Sequence, residues 1–219
     1  MENIFRYDSK FMQFLNKAAD MMIVSTMWFF LSITVVGFGP ACVACYHAIT
    51  KSVRYGRESA FKEFFRALKS NFWKGLVFGI LVLAFAASIA MVDLPENSLF
   101  LAGEGELRLG SMILMVVKAL LLTTLSLYGF PIISRFNMPI VRIFGASCLL
   151  SVRYLVATIL MVLMVAAAIF AVVSFPFLVL LIPGLFSYLQ GGLMERIMRA
   201  NMSEEDMQEN EKEDQWYLD

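Results

Sequence analysis

Apolar residues in this chain run in long blocks, separated by short charged stretches. Residues 75–92, GLVFGILVLAFAASIAMV, contain no charged side chain. A bilayer core of roughly 30 Å is crossed by about 20 helical residues, so this block predicts one span. Residues 111–134 predict another, interrupted only by Lys118. Residues 154–194 carry no charge over 41 positions, about 62 Å as a single helix. They divide into two spans at Ser174-Phe175-Pro176, because proline restricts the residue before it and lacks the N–H that continues a helix.

The first block is longer than one crossing and shorter than two. Residues 21–50 lack Lys, Arg, Asp and Glu and would reach about 45 Å as one helix. In its middle stand Gly37, Phe38, Gly39 and Pro40. Two glycines and a proline predict a helix break there. The block is then either one bent span or a hairpin of short helices over 18–36 and 40–54.

Charge bears on this choice, because Lys and Arg concentrate in cytoplasmic connections. Segment 51–74 has seven (Lys51, Arg54, Arg57, Lys62, Arg66, Lys69, Lys74) and segment 135–153 has three (Arg135, Arg142, Arg153). Segment 93–110 has Arg108 alone, beside Asp93, Glu96, Glu104 and Glu106. The first two belong inside and the third outside. Arg6, Lys10 and Lys17 favour an inner N-terminus, which requires 18–54 to cross twice. The expected fold is an all-α polytopic transmembrane bundle of five or six crossings, with charge favouring six and placing the C-terminus in the cytoplasm.

Composition agrees with the blocks. Of 219 residues 59% are hydrophobic and 16% charged, with a mean hydropathy of +0.72, which excludes an ordinary soluble domain. The formal net charge of zero hides an asymmetry. Residues 1–202 carry 17 basic against 10 acidic side chains, and 203–219 carry one lysine against eight acids. The expected organisation is a single membrane domain, 1–202, and an acidic cytoplasmic tail, 203–219, disordered or extending the last helix. Residues 1–20 are charged throughout and do not read as a cleavable signal.

Between the first two blocks lies FKEFFRALKSNFWKG, residues 61–75. On a helix, Phe61, Phe64, Phe65, Leu68 and Phe72 form one stripe, with Lys62, Glu63, Arg66, Lys69 and Ser70 opposite. This pattern predicts a short amphipathic helix at the cytoplasmic headgroup boundary, with Trp73 and Lys74 as anchors where the next span begins. It serves either as a connector packed on lipid or the bundle, or as a docking element. In the second case Phe64, Phe65 and Phe72 are the anchors and Arg66 and Lys69 the rim. Segment 136–152 reads as a weaker copy of the same unit.

Candidate chemistry is sparse. Cys42-Val-Ala-Cys45-Tyr-His47 lacks the haem-attachment spacing, and a closed zinc site would need a fourth ligand, from Cys148 or an acid. Cys42 and Cys45 share a helix face and His47 points elsewhere, so small buried thiols and an interfacial histidine are expected. Lys118 is a charge within a span, which marks a candidate site; its stem either snorkels outward or faces the bundle, where Asp93 or a carbonyl is a candidate partner. The sequence shows neither a Walker motif nor a nucleophile motif. No enzyme activity, metal, cofactor or nucleic-acid partner is expected.

The order of segments resembles a known family. An opening Phe5…Asp8…Lys10-Phe11 with Asn16-Lys17 and Asp20 precedes an apolar run ending GFGPA. FKEFFRALKSNFWKG, a span and a later ISRF follow. This pattern over about 1–200 resembles the YesL-like family of small bacterial membrane proteins, a domain of unknown function. Gly37, Gly39 and Pro40, together with Phe64-Phe65-Arg66 and Asn71-Phe72, carry the resemblance most specifically. The chain departs from it at Ser25 and Thr26, where an asparagine is common. The resemblance implies an accessory role beside carbohydrate importers of the ATP-binding-cassette (ABC) type, mostly in Gram-positive bacteria, with permease subunits as partners. It supplies no catalytic residues. A stand-alone small-solute transporter is the alternative, and membrane lipid or a second copy of the chain are further expected contacts.

Overall fold

The structure, a computed structural model, describes residues 10–54, 59–90 and 106–201. The expected acidic tail and most of the connection 93–110, Asp93 included, lie outside these residues. The described residues form helices, with no strand among them. Helix α1 is Lys10–Ser32, and α2 is Val35–Ala48, prolonged by a π-helical turn at Ile49–Arg54. Helix α3 is Ala60–Ser88 and α4 is Glu106–Thr124. A π-helical turn, Leu125–Gly129, joins α4 to α5, Phe130–Arg135. Helices α6, Ile140–Arg153, and α7, Leu155–Ser174, follow. A 3-10 turn, Pro176–Leu180, leads into α8, Ile182–Arg199. Three helices here are long and apolar enough to cross a membrane: Ala60–Ser88, Ile113–Arg135 and Leu155–Ser174.

The first block folds as a hairpin, but its break is not at Gly37–Pro40. It lies at Ile33-Thr34, with Thr34 extended at φ −88° and ψ 131°. The Thr34 hydroxyl donates to the Leu31 carbonyl at 2.8 Å and accepts from the Gly37 N–H at 3.1 Å, closing one helix and capping the next. Pro40 sits inside α2 and forfeits one backbone bond. Antiparallel pairing of the hairpin is fixed by the Trp28 indole N–H on the Cys42 Sγ, 3.3 Å, and by Ser52 Oγ on Asp20 Oδ2, 3.5 Å.

The glycines of this stretch permit contact with α3. A Cβ on Gly79 would stand 2.5 Å from the Gly39 Cα, and one on Gly75 would stand 2.9 Å from the Pro40 Cα. Backbones therefore touch along Gly39-Pro40 and Gly75…Gly79. In lipid, where burial of oil against oil gains little, helix pairs associate through such close packing at small residues. Gly75-Leu-Val-Phe-Gly79 has the GxxxG spacing that signals it.

The short interfacial helix expected at 61–74 is not a separate element. It is the first half of α3, one helix of 29 residues, about 43 Å long. No proline interrupts it. Its buried face runs through Ala60, Glu63, Phe64, Ala67, Gly75, Phe78, Gly79 and Val82. Small residues on that face let α2 approach, and they outweigh the aromatic stripe in setting the rotation. Segment 136–152 differs, since α6 is cut from α7 at Tyr154, φ −114° and ψ 52°.

Two clusters fill the interior. One joins α1, α2 and α3 through Val24, Ala44, Ile49, Phe64 and Ala67. The other gathers Phe78, Leu125, Tyr128, Ile143, Met161 and Met194 from α3 to α8. The break in residues 154–194 falls at Ser174–Pro176, where α7 ends and Pro176 opens the 3-10 turn.

Candidate functional site

Three features compete as a site: a layer of charge at one end of the bundle, the outer face of α3, and an apolar cavity. The charge layer is built on α2, α3, α5 and α8. His47, one residue before the end of α2, places Nδ1 3.1 Å from Ser134 Oγ and Nε2 3.5 Å from Glu63 Oε2. Glu63 also accepts from Arg66 at 2.7 Å, one helical turn along. The Glu63 side chain is 4% exposed and that of Arg66 43%, so the guanidinium closes the network against the surface. Beside it, Arg135 reaches Glu195 at 3.4 Å, with side-chain exposures of 13% and 6%. These groups hold four helices in register. A carboxylate buried this deeply is tolerated because it is paired.

Sequence reasoning missed much of this layer. Glu63 had been placed on the solvated face and is buried. Glu195, near the C-terminal end of α8, reaches across to Arg135 of α5. The available signal was an acid placed directly after the charge-free run 154–194, as at Glu195.

The stripe on α3 divides. Phe64 is buried, Phe72 and Asn71 are half-buried, and Phe61, Phe65 and Trp73 are exposed. Arg66 and Lys69 are exposed beside them. Phe61 and Phe65 meet edge to face at 5.0 Å, which stiffens an outward aromatic surface next to basic side chains. Lys74 bonds to Asn137 in the connection before α6.

The sulfur and imidazole groups of α2 are dispersed. Cys42 faces Trp28, Cys45 lies 3.4 Å from Ser187 Oγ, and His47 turns to Ser134 and Glu63. Among the described residues no three such ligands gather as a metal site. Cys148 stands apart on α6 as a free, half-buried thiol, and burial raises its pKa. Lys118 is half-buried on α4.

A cavity of about 460 Å³ lies between α1, α2, the π-helical turn after α4, α7 and α8. Trp28, Phe38, Phe130, Val165, Ile182 and Phe186 give it an apolar wall. Gln190 and Ser187 supply polar atoms, but Gln190 Nε2 donates to the Leu127 carbonyl at 2.6 Å and Ser187 meets Cys45. A widened π-turn leaves carbonyls without their usual helical donors, and Gln190 serves one of them. The space suits an apolar guest and offers little to a sugar.

Residues 21–94 match the family described as "Protein of unknown function, DUF624". That stretch takes in the second half of α1, α2 and the whole of α3. Neither a curated protein nor a solved structure matches the chain.

Proposed function

We propose that the chain is a YesL-like accessory protein of the cell membrane that crosses the bilayer six times and keeps both termini in the cytoplasm. It binds the permease subunits of a carbohydrate ABC importer and aids their assembly, stability or regulation. The crossings run through α1, α2, α3, the α4–α5 unit, α7 and α8, with α6 at the inner boundary. The basic connections support the orientation. The importer as partner rests on the family resemblance alone.

One observation carries the docking role. While α2 covers one face of α3, the opposite face exposes Phe61, Phe65 and Trp73 next to Arg66 and Lys69. Aromatic anchors with a basic rim are the composition of a binding surface. Affinity purification from native membranes in mild detergent tests it. Permease subunits should co-elute, and Phe61→Ala/Phe65→Ala/Trp73→Ala should release them. Recovery of the chain alone, with the wild-type surface, contradicts the reading.

A stand-alone transporter draws support from the cavity between helices. Its apolar wall argues against a sugar as cargo. Solute uptake by liposomes containing the purified chain alone would favour this second reading.

A further inference from the structure

We propose that the cavity beside α7 binds one hydrocarbon chain of a membrane lipid. Three observations and one physical argument converge on that occupant. Ile169 and Val173 line the cavity and are also 60% and 75% exposed, so its mouth opens at the outer side of α7. That helix is apolar, with Met161 its one buried residue, so the mouth faces lipid in the membrane-spanning reading on which this inference rests. Water is a poor occupant, because apolar cavities stay dry and this wall is mostly apolar, with Gln190 Nε2 and Ser187 Oγ already bonded within it. A void left empty forfeits dispersion contacts with every atom lining it.

Volume excludes the other apolar guest, a partner's helix. A helix with side chains is about 10–12 Å across, so about 460 Å³ would admit roughly one turn of it. A flexible chain one carbon wide fits the same space along its length. The lipid bilayer supplies such chains at the mouth, and exchange between bilayer and cavity replaces one apolar surrounding by another. Selection then comes from shape, through the bulk of Trp28, Phe38 and Phe186 around the inner wall.

The test uses the full chain in nanodiscs containing phosphatidylglycerol with a photoreactive diazirine midway along one acyl chain. After irradiation, labelled positions are mapped by peptide mass spectrometry. Labelling at Val165, Ala168 and Phe186 should saturate at one lipid per chain. Ala168→Phe, which places a ring in the cavity, should lower that labelling about tenfold, equivalent to about 1.4 kcal/mol. Labelling at the outward residues Leu163 and Phe170 should persist. Val172→Phe replaces it as the blocking variant if Ala168→Phe lowers the melting temperature. Label confined to Leu163 and Phe170 overturns the cavity proposal and leaves the membrane reading standing, and so does label on lining residues that neither saturates nor responds to the ring. No label on either set overturns both.

Discussion

Gly79 and Gly145 are both helical glycines, yet their surroundings predict opposite responses to the same change. A Cβ at Gly79 would collide with the backbone at Gly39, and one at Gly145 meets nothing within 4 Å. Gly79→Ala should therefore destabilise by about 1–3 kcal/mol through overpacking. Gly145→Ala should stabilise by about 0.5–1 kcal/mol through helix propensity. Melting temperatures in detergent compare the two directly, and a loss at both positions would contradict the packing account. Charge at the residue scale behaves similarly. Glu195→Ala leaves Arg135, whose side chain is only 13% exposed, without this acid and should cost up to about 3–5 kcal/mol, whereas Arg135→Met/Glu195→Met should recover much of the loss. A double variant no better than the single one would show that the pair is not the relevant contact.

At the scale of elements, α3 links the parts. Its inner face packs on α2, its first turns enter the charge layer, and its outer face carries the proposed docking surface. Two aromatic changes one residue apart separate these duties. Phe64→Ala removes a fully buried ring and should cost about 3–5 kcal/mol of stability. Phe65→Ala should change stability by less than about 0.5 kcal/mol and weaken partner binding instead. Thermal unfolding and co-purification yield give the two readouts. The aromatic stripe was legible in the sequence, and its division was not. Residues 61, 64, 65, 68 and 72 span a broad arc, and the sequence does not say which part of that arc α2 covers. Gly75 and Gly79 decide it, because along them the α3 backbone touches that of α2 at Gly39-Pro40. The GxxxG at 75–79 was readable in advance as that signal.

For the whole molecule, orientation is the decisive quantity. In a variant lacking Cys42, Cys45 and Cys148, a cysteine placed at Lys62 or Arg142 should resist an impermeant maleimide in intact cells and react after permeabilisation. One placed at Gly110 should react from outside. Labelling of Lys62→Cys in intact cells would reverse the proposed orientation and remove the proposed cytoplasmic docking surface.

The amino-acid order alone determined that this is a helical protein with membrane-length apolar blocks, because charge-free length is a local property. It also placed the break at Ser174–Pro176, where a single proline dictates backbone behaviour. The other break moved to Ile33-Thr34, since a hydroxyl cap closes a helix there, with Gly37 giving its N–H to that cap, while Gly39 and Pro40 stay helical in contact with α3. Only tertiary structure decided that contact, the burial of Glu63, the Arg135–Glu195 pair and the cavity beside α7. Each joins residues far apart in the chain, and their meeting depends on how helices rotate and stack, which no local pattern specifies.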